Sequence, residues 1–535
     1  MNTELLKKKI LQLAMQGKLV EQDESDGTAE ELIDQILEEK KKLMAEGKIK
    51  KEKLSRIYKN PTDNHYYEKF EDGKKIDVTN QIYYEIPSEW EYVRLKNISS
   101  IISKGTTPRG GKNAYVEKGI NYLRAENVKG NGYVSLDNIM YIDEKTHNST
   151  LKRSILEEKD LLICIAGTLG RSAIITKDQL PANTNQAVCF IRFIKKEDVL
   201  VKFAQLIISS SLVQESLIKQ TKAVAIPNLT LEIIGNCIIP IPPLSEQIRI
   251  VDKIEKLFDA VEIINTKYNT IKELQEKLKA KIIDLAIKGK LTQQLSTDEP
   301  SSKLIEKIVD EKHKLMKEGK IKKENLSIIY KDADNQFYEK FDDGKIVNIT
   351  KELPFKIPTG WSWSRLRNIG IYKKGPFGSS LIKDMFVPKS NNTIKVYEQK
   401  NAINKDYTLG NYYITKQYFE QAMRGFEVEP GDIIVSCAGT IGETYILPSD
   451  IEKGIINQAL MKMKIFNNIN IDFFLMYFDQ ILKKESIKNG KGTAMKNIPP
   501  FAVFKEYLIP IPSQEEQERI IEKKISIFNY IKTAE

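Results

Sequence analysis

Cysteine is scarce in this chain: four in 535 residues, at Cys164, Cys189, Cys237 and Cys437, with no CxxC pair. A disulfide framework or a redox dithiol is therefore not expected, and buried free thiols in a reducing compartment are. Histidine is scarcer still. His65, His147 and His313 have no metal-ligand spacing to another His or Cys, so no zinc site is expected. No apolar run approaches the roughly 18–20 residues needed to span a bilayer. Residues 1–19 are amphipathic and charged throughout, unlike a secretory leader, so the expectation is a cytoplasmic chain with no membrane partner. What is present is ordinary globular composition, 41% hydrophobic and 29% charged, which excludes global disorder. The length suits three or four domains. Lys and Arg number 83 against 73 Asp and Glu, and the resulting +10 suits a phosphate-bearing partner.

The chain is written twice. KKKILQLAMQGKL (7–19) returns as KAKIIDLAIKGKL (279–291), and LMAEGKIKKEKLSRIYK (43–59) as LMKEGKIKKENLSIIYK (315–331). YEKFEDGK (67–74) pairs with YEKFDDGK (338–345), and IPSEWEYVRLKNI (86–98) with IPTGWSWSRLRNI (357–369). More faintly, KDLLICIAGTLG (159–170) aligns with GDIIVSCAGTIG (431–442), Asn185-Gln186-Ala187 with Asn457-Gln458-Ala459, and IIPIPPLSEQIRI (238–250) with LIPIPSQEEQERI (508–520). Between these anchors, 104–158 and 374–430 share little beyond an initial Lys-Gly and an isolated Asn. A duplicated catalyst would keep its reactive residues in both copies. A reader of two different ligands would keep its frame and change its loops.

Residues 244–290 contain no Pro and read as one helix of about 70 Å. Ile250, Leu257, Ile264, Ile271, Leu278 and Leu285 recur every seven residues, with Ile254, Val261, Tyr268 and Ile282 four after each and Gln275 as the polar exception. That pattern predicts a coiled-coil seam. The C-terminal stretch from Gln514 aligns with the first half of this helix, and Leu6, Ile10 and Leu13 align with Leu278, Ile282 and Leu285. The two termini thus make a broken copy of the central helix, expected to lie antiparallel to it and to give a single chain a pseudo-two-fold axis.

Short β-like runs, turn residues and helical patches in each half predict mixed α/β units. The AGT-x-G turn lacks a following GK[ST], so it reads as a tight turn with positive φ at glycine rather than a nucleotide loop. Basic, amide-rich loops with nearby aromatics are the candidates for DNA contact, because Arg, Lys, Asn and Gln pair with base edges while Lys, Ser and Thr hold phosphates. In the first half these loops supply Lys104, Thr106, Arg109, Lys112, Arg124, Asn127, Lys222 and Asn228. In the second they supply Lys374, Ser379, Gln399, Lys400, Lys491, Thr493 and Lys496. Arg124 and Gln399 are the candidate base readers, and Lys222 and Lys491 the candidate phosphate contacts. No catalytic residue and no metal ligand is assigned.

These motifs together resemble the specificity subunits of type I restriction–modification systems. The markers are IP-x-x-W-x-x-x-x-L (86–95, 357–366), AGT-x-G (166–170, 438–442), PIPPLSEQIRIVDKIEKLF (240–258), LAMQGKL (13–19) and the EGKIKKE block (46–52, 318–324). The resemblance covers nearly the whole chain. It implies an α+β fold: two similar mixed α/β target recognition domains separated by long antiparallel helices, with pseudo-two-fold internal duplication. The implied order is a spacer helix with a Lys-rich extension (1–85), recognition domain 1 (86–243), the central helix (244–291), a second extension (292–356), recognition domain 2 (357–512) and a C-terminal spacer helix (513–535). It further implies a non-catalytic subunit that recognises a bipartite target in double-stranded DNA and holds no cofactor itself. Two methyltransferase subunits, bringing S-adenosylmethionine, and restriction subunits using ATP and Mg would be its partners.

Three other readings fare worse. A methyltransferase needs a D/N-PP-Y/F motif, and Asn497-Ile498-Pro499-Pro500-Phe501 interrupts it. A nuclease would show one acidic cluster in both copies, and none stands out. A scaffold or coiled-coil adaptor that binds no DNA is separated from the favoured reading by a gel shift against random and cognate duplex.

Overall fold

The computed structural model describes residues 3–130, 132–220, 228–484 and 499–533. The chain divides into two units, Met1–Thr270 and Ile271–Glu535. In the first, helices Thr3–Met15 and Ala29–Ala45 precede an antiparallel meander of Ser55–Lys59, Tyr66–Phe70 and Lys75–Asp77. A four-stranded antiparallel sheet follows, in the order Ser99–Lys104, Val188–Phe193, Leu161–Cys164, Ser172–Ile174. Strand Leu161–Cys164 is buried at every position. Its side chains alternate between two cores: Leu161 and Ile163 enter one, Leu162 and Cys164 the other. A strand covered on both faces has no use for a polar alternate, which is why LLIC is apolar throughout.

The second unit repeats this plan. Helix Ser301–Lys317 leads to a meander of Ser327–Lys331, Phe337–Phe341 and Ile346–Asn348. The four-stranded sheet runs Gly370–Lys374, Leu460–Ile465, Ile433–Ser436, Thr444–Ile446 in the same order and sense. A smaller sheet in each unit contains one parallel pair, Ile120–Leu123 with Ala182–Thr184 and Thr393–Tyr397 with Gly454–Ile456. The expected α+β duplication is therefore present, and the same topology holds through the stretches whose sequences diverge. At the edge of the smaller sheet the second unit has a two-residue strand, Glu427–Val428, where the first unit has the single bridge of Ile155 to Asn183.

The markers shared by both halves build one joint, made twice. Trp90 Nε1 donates to Glu246 Oε2 at 2.7 Å, and Gln22 Nε2 to Glu246 Oε1 at 2.6 Å. Trp361 and Gln294 make the same bonds to Glu516, each at 2.8 Å. Arg249 pairs with Asp26 and Arg519 with Asp298, each at 2.6 Å. Both glutamates are buried, and an indole N–H with a carboxamide N–H satisfies each without a full counter-charge. The Lys-rich extensions share the core of the neighbouring domain rather than forming their own: Ile33 and Ile36 sit in one cluster with Trp90 and Val93. Lys40 and Lys312 are buried, bonded to Glu52 and Glu324 and to the carbonyls of Lys96 and of Arg367 with Gly370. Burial pushes both lysines below the usual range.

A continuous helix of 44 residues, Leu244–Ile287, begins in the first unit and ends in the second. Within the first unit the N-terminal helix runs antiparallel to it. Lys7 pairs with Glu262, while Ile10 and Leu11 share a core with Ile250 and Ile254. Within the second unit the C-terminal helix Gln514–Thr533 does the same: Gln275 Nε2 donates to Ile531 O at 3.3 Å, and Ile520 and Ile521 pack in one core with Ala286 and Ile287.

The seam expected from the heptads needs correction. Ile10, Ile250, Ile254, Val261 and Ile282 are buried, and Leu13, Leu257 and Leu285 are half-buried. Leu6, Ile264, Ile271 and Leu278 are exposed, as is Tyr268. The reason is that the terminal helices also pack on their own domains. The N-terminal helix turns Ile10, Leu11, Ala14 and Met15 inward, into a core shared with Phe203 and Val213, a broader face than a two-helix seam. Among the described residues no helix is long and apolar enough to cross a membrane.

Candidate nucleic-acid interface

In each unit three turns meet at one end of the four-stranded sheet. They follow strand Ser99–Lys104, follow strand Leu161–Cys164 and precede strand Val188–Phe193. Because these strands are antiparallel neighbours, the Lys-Gly, AGT-x-G and Asn-Gln-Ala segments are brought together. Gly105 N donates to Val188 O at 3.1 Å and Ile165 N to Ala187 O at 2.8 Å. Their counterparts are Gly375 N to Leu460 O at 2.9 Å and Cys437 N to Ala459 O at 2.8 Å. The AGT turn has the expected geometry, with φ of 76° at Gly167 and 65° at Gly439. Burial pushes the Cys164 thiol to about 11 and the Cys437 thiol to about 12, so neither is a thiolate near neutral pH.

A fourth element joins this edge. Arg124 precedes a short helical turn, Ala125–Asn127, and Glu398 precedes helix Gln399–Asn404. In both, the third residue is an Asn whose Oδ1 caps the backbone: Asn127 accepts from Arg124 N at 2.9 Å and Asn401 from Glu398 N at 2.7 Å. The adjoining strands meet the Asn-Gln-Ala turn through Asn185 N to Leu123 O at 3.1 Å and Asn457 N to Tyr397 O at 3.0 Å.

The candidate residues fall into three groups. Lys104, Thr106, Arg109, Asn228, Lys374, Ser379 and Lys400 are exposed. Lys104, Arg109 and Lys374 make no ion pair with any described residue, whereas Lys400 pairs with Glu398 at 2.8 Å. Arg124 and Gln399 are half-buried. Arg124 pairs with Glu126 and donates to Asn138 O at 3.2 Å, and Gln399 Nε2 clips the AGT turn through Ala438 O and Thr440 O. Asn127 is withdrawn as a DNA contact. It is wholly buried, and its amide donates to Ser135 O and Asp137 O, leaving nothing for a base. Lys222, Lys491, Thr493 and Lys496 lie outside the described residues, as does the side chain of Lys112.

Sequence reasoning passed over Thr107, which bonds Gln186, and Arg171, exposed directly after the AGT turn. It also read the AGT and Asn-Gln-Ala motifs as frame alone, although Thr168, Gln186, Thr440 and Gln458 are exposed on this edge. For these last four the available signal was polarity retained between the two copies, whereas Phe377 and Glu443 stand at the positions of Thr107 and Arg171.

Two copies of one α/β scaffold, each presenting a basic and divergent loop edge and connected through one helix, define a bipartite recognition protein. The model of the type I restriction modification DNA specificity domain matches residues 87–273 and 377–532, and the chain belongs to that family. It is similar to the type I restriction enzyme EcoAI specificity subunit of Escherichia coli, 24% identical over 97% of this chain and 87% of that protein. The EcoEI specificity subunit of Escherichia coli is 25% identical over 92% of this chain and 84% of that protein. A chain from a solved structure on complex assembly and conformational transition of the type I R-M system shares the fold. Its TM-score is 0.53 at 17% identity, over 84% of this chain and 93% of that one.

Proposed function

We propose that this chain is the DNA-reading subunit of a type I restriction–modification complex, each unit reading one half of a bipartite, asymmetric target. The observation that carries this reading is the contrast within one scaffold. The sheet, the Trp–Glu joint and the three-turn edge are built twice, while the loops on that edge differ. Exposed cations at the edge, Lys104, Arg109, Arg171 and Lys374, suit a polyanion, and the amides beside them suit base edges. The chain's role is recognition and not catalysis. Methylation and cleavage belong to partners, with two methyltransferase subunits on the duplicated spacer faces and restriction subunits joining them.

The test is selection from a pool of randomised duplexes, using the full chain assembled with its methyltransferase subunits. Enrichment of two short fixed blocks separated by a gap of free sequence supports the reading. Enrichment of one continuous block, or retention of every duplex alike, contradicts it.

A further inference from the structure

Most residues kept in both copies of the three-turn edge have a structural duty. A side chain on Gly105 would meet Thr184 O at 2.0 Å, and one on Gly375 would meet Asn457 O at 1.8 Å. Asn185 and Asn457 each accept from the N–H two residues on, at 3.1 and 3.0 Å. Three retained pairs have no such duty in common among the described residues: Lys104 with Lys374, Thr168 with Thr440, and Gln186 with Gln458. All six are exposed and polar. Gln186 accepts from the Thr107 hydroxyl, but Phe377 stands at the Thr107 position in the second unit, so that bond is not what the copies share.

Exposed polar residues preserved amid diverged loops must serve something the two half-sites have in common. Base edges differ between the halves of an asymmetric target. The sugar–phosphate backbone does not. An ammonium, a hydroxyl and a carboxamide N–H are the groups that hold phosphate oxygens.

Resting on the DNA-reading function above, we propose that Lys104, Thr168 and Gln186 in the first unit, and Lys374, Thr440 and Gln458 in the second, grip the phosphodiester backbone of duplex DNA. They form one sequence-blind clamp built twice. The diverged loops around each clamp carry the base contacts, and the clamp sets the height and register at which those loops meet the groove.

The test compares the wild-type assembly with Lys104→Gln, Thr168→Ala, Gln186→Ala and the matching changes at Lys374, Thr440 and Gln458, using the selected duplex and a scrambled one. Each variant should lose about tenfold in affinity on both duplexes, with equal loss from either unit and an unchanged selected sequence. The lysine variants should also lower the salt slope by about one. Thr168→Ser should bind as the wild type does. A changed base preference in one half-site would make these residues base readers and overturn the proposal, and so would unchanged affinity in all six variants. If the wild-type assembly itself selects no duplex, the DNA-reading function fails. If the wild type selects and the variants match it, the clamp alone fails.

Discussion

Residues 86–98 and 357–369 share seven of thirteen residues, and residues 104–158 and 374–430 are nearly unrelated, yet both pairs fold alike. The first pair is locked by buried polar chemistry. Arg94 bonds Glu68 at 2.6 Å and Arg365 bonds Glu339 at 2.8 Å, each carboxylate also accepting from a serine at 2.6 Å. Changing one member of such a network strands the others without partners, so all are kept. Beyond one buried Asn cap in each copy, Asn127 and Asn401, the second pair is held by apolar packing and backbone ladders, which tolerate many sequences of similar pattern. Freedom to vary therefore concentrates on the loop edge, and a protein that must read two different half-sites needs its freedom there.

The largest effect that would test this comparison is at the joint. Trp90→Ala and Trp361→Ala should each destabilise their own unit by about 3–5 kcal/mol, read by chemical unfolding. Each ring is 4% exposed and edge-on to a phenylalanine, Phe203 at 6.3 Å and Phe473 at 6.0 Å. A large loss in one unit and none in the other would break the equivalence of the two joints.

A smaller effect separates frame from reader inside the diverged stretch. Asn127→Ala and Asn401→Ala should each cost about 1–3 kcal/mol, because the capped N–H and two backbone carbonyls lose the buried amide that pairs with them. Hydrogen exchange around residues 121–138 and 396–410 should quicken, while the selected DNA sequence stays the same. A stable Asn127→Ala protein with an altered half-site would return Asn127 to the interface.

The smallest effect sharpens a difference between the copies. Glu91 stands where the second unit has Ser362. Burial raises the Glu91 carboxyl to about 6, with Arg56 opposing the shift. The folded state thus prefers the protonated acid. Its contribution is fully present below the unfolded value near 4.5 and is lost as pH rises through about 6. Glu91→Gln should flatten this part of the stability–pH curve in the first unit and leave the second unit unmoved. A wild-type curve rising with pH across that window, with the same slope in Glu91→Gln, would contradict the assignment.

Much of the fold was legible because duplication doubles every signal. One AGT-x-G is a weak motif, but two of them 272 residues apart in register mark a scaffold. The heptads misled for a physical reason: Ile264, Ile271 and Leu278 keep the spacing of a seam and are exposed, because spacing does not say which face of the central helix its partner helices cover. Asn127 misled because an amide suited to adenine is equally suited to capping a helical turn. The edge strand Glu427–Val428 was illegible, since two residues carry no period.

The most direct test of the central claim, one scaffold reading two half-sites independently, is a map of methylated positions in cells carrying the active complex. The map is repeated after residues 104–230 are replaced by 374–500. The account predicts that the half-site read by the first unit is exchanged for a copy of the other, with that other half and the gap unchanged. Loss or change of both halves in an assembly that still folds and methylates would contradict it.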